Sequence, residues 1–208
     1  MAPDYPEEIL LRNNQDIIDR VLKQGITLRV NKFSLEEDFE NDLSRVFFIL
    51  NYQHRKTNKN LEIDSRGSGV VDALFSGIID HFSKTYVSLQ NVFLYDFLVD
   101  VKFKESQSTL QTDAPVEVKI ALQGSSVAKN KLYFKAKSNS LVKSGIGAVC
   151  NAVEYLINAE LAVVQLHKDI KLADKRKRLD LSNIYVNQLS ELVKVVSYSK
   201  VINKLNKR

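Results

Sequence analysis

The chain has 208 residues, 44% of them hydrophobic and 26% charged, the balance of an ordinary globular protein. Seven glycines and three prolines exclude collagen-like and long low-complexity stretches, and a single cysteine, Cys150, excludes an internal disulfide framework and any CxxC-type zinc site. The net charge of +5 is unevenly placed: Glu7, Glu8, Asp16, Asp19, Glu36, Glu37, Asp38, Glu40 and Asp42 crowd the first 45 residues, while the basic excess lies in Lys168–Arg178 and the C-terminal lysines.

Pro6 through Gln24 reads as a helix. Pro6 suits a first turn, Glu7 and Glu8 complement the positive end of the dipole, and Gly25 is placed to end it. Strand-like segments follow at Ile26–Val30, Arg45–Tyr52 and Asn60–Ile63, with Ser34 and Glu37 spaced as a capping box for a short helical turn between the first two. Ser65-Arg-Gly-Ser-Gly69 then leads into a helix over Val70–Phe82, whose Val71, Leu74, Ile78 and Phe82 share a face.

The same order recurs. Phe97–Phe103, Val116–Leu122 and Lys131–Ala136 are strand-like, Ser138-Asn-Ser140 forms a turn, and a helix spans about Leu141–Ile157. Matching Leu61 to Leu132, Val71 to Val142, Gly77 to Ala148 and Val46 to Val116 gives a repeat of about 70 residues, too long for a solenoid. The expected fold class is α+β, with two pseudo-symmetric β-β-β-α units at 26–85 and 93–160, an N-terminal helix within 1–25 and a basic helical extension at 161–208. In that extension Leu161–Leu172 prolongs the second helix, Asp174–Arg178 is a charged connector, and Ser182 caps a last amphipathic helix, core cover or a dimer contact.

Enzyme constellations are thin. His54, His81 and His167 fall at no metal-ligand spacing, no HExxH is present, and Cys150 lies on the apolar face of a helix. No metal, cofactor or catalytic residue is expected. No apolar run approaches the roughly 18 residues of a membrane-spanning helix, and the acidic start MAPDYPEEIL lacks a signal-peptide core. A cytoplasmic protein without membrane contact is expected. The Gly67-Ser68-Gly69 turn lacks the third glycine or Lys-Ser/Thr of a nucleotide loop, but it opens a helix whose backbone N–H groups suit a carboxylate. Its repeat counterpart Ser138-Asn139-Ser140 does the same, so two helix N-termini can face one cavity. The alternative is plain N-capping by Ser68 and Ser138.

Arg66-Gly-Ser-Gly-Val-Val-Asp-Ala-Leu-Phe75 resembles the Gly-x-Gly-Pro-Val-Asp-Ala-Leu-Phe signature of the C-terminal regulatory domain of α-isopropylmalate synthase and citramalate synthase. Leu94-Tyr-Asp-Phe97, Gln111-Thr-Asp-Ala-Pro-Val-Glu-Val118, Ser140-Leu-Val-Lys-Ser144 and Ala148-Val-Cys-Asn-Ala152 are similar to further segments of that domain, in order, across about residues 26–160. The resemblance implies a homodimer that binds leucine or isoleucine near the helix N-termini and regulates a catalytic barrel. It carries over Gly67, Ser68, Gly69, Val70 and Val71 as one side of the ligand site, with Leu74, Asp96, Phe97, Asp113, Ala114, Ser138, Asn139, Ser140 and Leu141 contributing elsewhere. In those terms backbone N–H groups take the ligand carboxylate, Asp113 balances its ammonium, and Leu74 or Phe97 covers the branched side chain.

This chain has Ser68 and Ser140 where the family has aspartates, Val70 for its proline and Phe97 for its tyrosine. The roughly 25 residues before the first strand are far short of the roughly 250 of a catalytic barrel, so a separate or missing synthase is expected as the partner. One alternative is a dimerisation scaffold whose pocket has decayed. A nucleic-acid-associated module working through Lys168–Arg178 ranks last, because no aromatic residue interleaves the Asp174–Arg178 cluster.

Overall fold

Strict alternation builds two sheets. In β2 (Leu43–His54) Val46, Phe48 and Leu50 project to one side, and all three are fully buried. This strand is the centre of an antiparallel sheet flanked by β1 (Ile26–Asp38) and β3 (Thr57–Gly67). The second antiparallel sheet is centred on β5 (Val116–Gly124), whose Val118, Ile120 and Leu122 are buried, between β4 (Val92–Val101) and β6 (Leu132–Ser138). The structure, a computed structural model, describes residues 6–54, 57–101, 114–124, 132–195, 198 and 201–203.

Among the described residues, long helices cover the sheets. α2 (Val70–Phe82) lies on β2 and β3, while α3 (Leu141–Lys175) lies on β5 and β6 and continues to β1. α1 (Pro6–Leu22) and α4 (Leu179–Val195) pack on α3, and a single helical turn, Val87–Leu89, precedes β4. One continuous core joins the inner faces of both sheets through α3.

The β-β-β-α repeat is present down to its register. Phe48 faces Ile63 and Leu50 faces Leu61 in the first sheet, as Ile120 faces Phe134 and Leu122 faces Leu132 in the second. Each leading strand carries a β-bulge at the same place, between Val30 and Lys32 and between Leu94 and Asp96. The pairing matches Val46 to Val118, two residues beyond the Val116 that the sequence offset selects.

Several local expectations are corrected. β1 runs unbroken from Ile26 to Asp38, with no helical turn at Ser34: its hydroxyl donates to the Phe47 carbonyl, and Glu37 accepts from Ser44 Oγ at 2.7 Å. Cross-strand partners win over the capping box. The hairpin closes instead at Asp38, whose carboxylate accepts from the Asn41 side-chain amide, from Asn41 N and from Glu40 N, and these bonds hold its pKa below the usual carboxylate range. α1 ends at Leu22 with Lys23 in the left-handed region, φ 55°, so Gly25 is not its terminator. Gly25 is small for another reason: a Cβ there would lie 2.8 Å from Asn158 Oδ1. α4 begins before Ser182, whose N–H joins the helix by donating to the Arg178 carbonyl. α3 crosses residue 160 without a break and contains an 18-residue apolar window of mean hydropathy 1.3, most of it buried inside this fold as its central helix.

Candidate functional site

The site is made by two strand-to-helix turns. At the first, β3 ends on Gly67, where a Cβ would come within 2.5 Å of Ala73 N and 2.6 Å of Asp72 Oδ2. Only glycine lets the strand enter α2 so closely. Gly69 is the N-cap and supplies no side chain, so the first-turn N–H groups of α2 have no cap partner. Asp72, at the third helical position, reaches back and accepts from Ser68 N at 3.1 Å and Ser68 Oγ at 3.4 Å.

At the second turn the serines are spent on structure. Ser138 Oγ accepts from Ser140 N at 3.1 Å and shares a 2.9 Å hydrogen bond with Ser144 Oγ, which donates to the Val116 carbonyl. Ser140 is the N-cap of α3 and accepts from Lys143 N at 3.3 Å. The caps are therefore Gly69 and Ser140, not Ser68 and Ser138. Gly145 lets the helices approach, since a Cβ there would meet Val71 Cγ2 at 3.2 Å.

Between the two helix starts opens a cavity of about 300 Å³, lined by Ser68, Gly69, Val70, Val71, Asp72, Leu74, Phe97, Leu141, Val142 and Ile146. That is the small end of the roughly 300–1,000 Å³ of ligand pockets. The lining is mainly aliphatic, with Phe97 on one wall and the Asp72 carboxylate at the rim of the α2 N-terminus. Seven of the residues singled out in the sequence come together here: Ser68, Gly69, Val70, Val71, Leu74, Phe97 and Leu141.

The others do not line it. Gly67 shapes the turn, Ser138 and Ser140 hold the second one, and Asn139 is exposed beside them. Ala114 is buried just ahead of β5. Asp96 pairs across from Ala121, on the sheet face opposite the core residues Ile120 and Leu122, and its Oδ1 accepts from Phe97 N. Asp113 lies outside the described residues. Asp72, Val142 and Ile146 were not singled out. An acid at the third position after a Gly N-cap is the signal for Asp72, and the i, i+4 spacing of Val142 and Ile146 to each other is the signal for those two.

The remaining candidates are structural. Cys150 is buried, and burial, with the nearby Glu154 carboxylate, pushes its thiol up to about 12, far from a nucleophile. A second hollow of about 400 Å³ between α1, α3 and β6 includes Asn151, Glu154 and Asn158, but these side chains already hold Lys135, Leu28 and Ile26 main-chain groups. Among the described residues no three His, Cys, Asp or Glu side chains are grouped as metal ligands. No known protein-family model matches the chain, and no curated protein matches it.

Proposed function

We propose that this chain is a dimeric regulatory-type domain that senses a small amino acid or related branched carboxylate and acts on a separate synthase, without chemistry of its own. The observation that carries this reading is the aliphatic cavity at the paired starts of α2 and α3, which gathers seven residues of the resemblance. Val70, Val71, Leu74, Phe97 and Leu141 suit a branched side chain, whose burial contributes roughly 1.5–3 kcal/mol. The uncapped first turn of α2 offers N–H donors to a carboxylate, and Asp72 sits where it can balance an ammonium group. Asp72, in the cavity lining, is placed for the ammonium-balancing role that the resemblance implies for Asp113. A reducing cytoplasmic setting suits the lone buried thiol.

A second reading keeps the fold without the ligand. Asp72 already accepts from Ser68, and Ser140 already caps α3, so both helix starts are partly satisfied from within, as in a dimerisation scaffold.

A thermal-melt screen with millimolar leucine, isoleucine, valine and their 2-oxo acids separates the two. A ligand at 100 times its Kd adds about 2.7 kcal/mol, a shift of several degrees. The sensor reading expects such a shift for one compound and its loss in Phe97→Ala and Asp72→Asn. A flat screen on the folded protein rejects the sensor and leaves the scaffold.

A further inference from the structure

The distal end of the first hairpin stands clear of the fold. Ser34 through Asp42 are exposed on both faces of β1 and through the turn, and Phe39 in that turn is 87% exposed. A second bare patch lies on the last turns of α3. Lys168, Lys171, Leu172 and Lys175 are all exposed and share one face at i, i+3, i+4 and i+7, while Asp169 and Asp174 each fall about 110° from its centre. Leu172 is 46% exposed there, and Leu179, just past the turn into α4, is 69% exposed. The two patches are at opposite ends of the molecule. Asn158 holds Ile26 and Glu154 holds Leu28, so α3 runs antiparallel to β1. From Leu28 the strand reaches about 33 Å to Asp38, and from Glu154 the helix reaches about 32 Å the other way to Lys175.

Each patch is an exposed apolar group ringed by charge, and the signs are opposite. Around Phe39 stand Glu36, Glu37, Asp38, Glu40 and Asp42, all exposed. Arg45 is held by Asp64 at 2.6 Å and lies 3.9 Å from Glu36, and Arg66 is beside it on β3, so this end remains negative. Around Leu172 and Leu179 stand Lys168, Lys171, Lys175, Arg176 and Lys177, with Arg178 paired to Asp180 at 2.7 Å. At such a separation the hairpin end cannot reach the basic end of its own chain, so its complement is met on another copy. We infer that the Phe39 end of one copy docks on the lysine face of α3 in a second copy, with Phe39 against Leu172 and Leu179, and that two copies lying antiparallel make this contact twice.

The inference deepens the dimer of the proposed function by giving it a contact, and it is tested without ligand, so a flat ligand screen leaves it standing. Sedimentation equilibrium is measured on the full chain at low and high salt. The dimer Kd is expected to rise at least about tenfold with salt, because the paired charges are exposed and screened. Phe39→Ser is expected to raise it by a similar factor at low salt with the melting temperature unchanged, since that side chain is exposed in the monomer. Two charge-reversed chains, Glu36→Lys with Glu40→Lys and Lys171→Glu with Lys175→Glu, are each expected to be weakened as homodimers. Mixed together they pair with each other, because each hairpin end then meets a helix face of opposite charge. A wild type that stays monomeric at about 100 μM in low salt, the Kd range of a weak specific pair, assigns the two ends to other partners and overturns the inference. Reversed chains that fail to prefer one another overturn it too. The mixing arm decides even where Phe39→Ser has no effect of its own.

Discussion

The Asn158 side chain clasps the backbone of Ile26: Oδ1 accepts from the Ile26 N–H at 2.6 Å, and Nδ2 donates to the Ile26 carbonyl at 3.0 Å. Two residues further along the same strand edge, Leu28 N donates to the Glu154 carboxylate. α3 therefore finishes the outer edge of β1 with side chains where a fourth strand would otherwise supply main-chain partners.

Removing the clasp should be costly. Asn158→Ala leaves a buried N–H and C=O without partners, and each such group costs about 1–3 kcal/mol. Urea unfolding should show a loss of at least about 2 kcal/mol with the slope unchanged. Gly25→Ala should destabilise for the complementary reason, because its Cβ would press on Asn158 Oδ1 and Cγ.

Glu154 gives a pH signature. Burial raises its pKa above the ordinary 4.5 of a glutamate, against the lowering effect of its bond from Leu28 N. The folded state thus binds this proton more tightly than the unfolded chain, and the stability it contributes is present below about 4.5 and lost as pH rises through the folded pKa. Glu154→Gln keeps an acceptor for Leu28 and carries no charge, so it should be more stable than wild type at pH 7 and lack this segment of the pH–stability curve.

The Cys150 thiol, at about 12, should not react with a disulfide reagent at pH 8 in the folded protein. Labelling should appear only through opening of α3, and its rate should rise with denaturant. Rapid native labelling would contradict the burial.

The glycines of the two helices should differ in their response. At Gly77 a Cβ would lie 2.8 Å from Ile63 Cγ2 and Ser65 Cβ, and at Gly147 it would lie 2.8 Å from Ala136 Cβ. Alanine gains about 0.5–1 kcal/mol of backbone preference at these sites, yet overpacking costs about 1–3, so both variants should lose stability. Gly69 has open space around its Cα. Gly69→Ser supplies the N-cap that its counterpart Ser140 already provides and should gain a few tenths of a kcal/mol in thermal unfolding.

The helix over Val70–Phe82 was legible to the residue, because apolar spacing, the Gly-flanked turn and the strand before it all agreed. The strands were legible as cores but not at their ends: β1 extends to Asp38 only because Ser34 and Glu37 find partners on β2, which a local reading cannot see. Gly25 shows the same limit, since its smallness answers to Asn158, far along the chain. Seven of the ten residues lining the candidate site were visible, five of them because Ser68–Leu74 is one continuous turn and helix. Asp72 escaped because its role depends on folding back over Ser68, and Asp96 was misplaced because the bulge at Tyr95 changes which face follows it.

The reach of α3 also sets a timetable for synthesis. Ile26 and Asn158 are separated by 132 residues, so β1 leaves the ribosome long before the side chain that completes its edge. At about 5–20 residues per second the delay is roughly 7–26 s. During that interval the first sheet carries an open strand edge, and a nascent chain stalled before Asn158 would present it to chaperones or to other nascent chains.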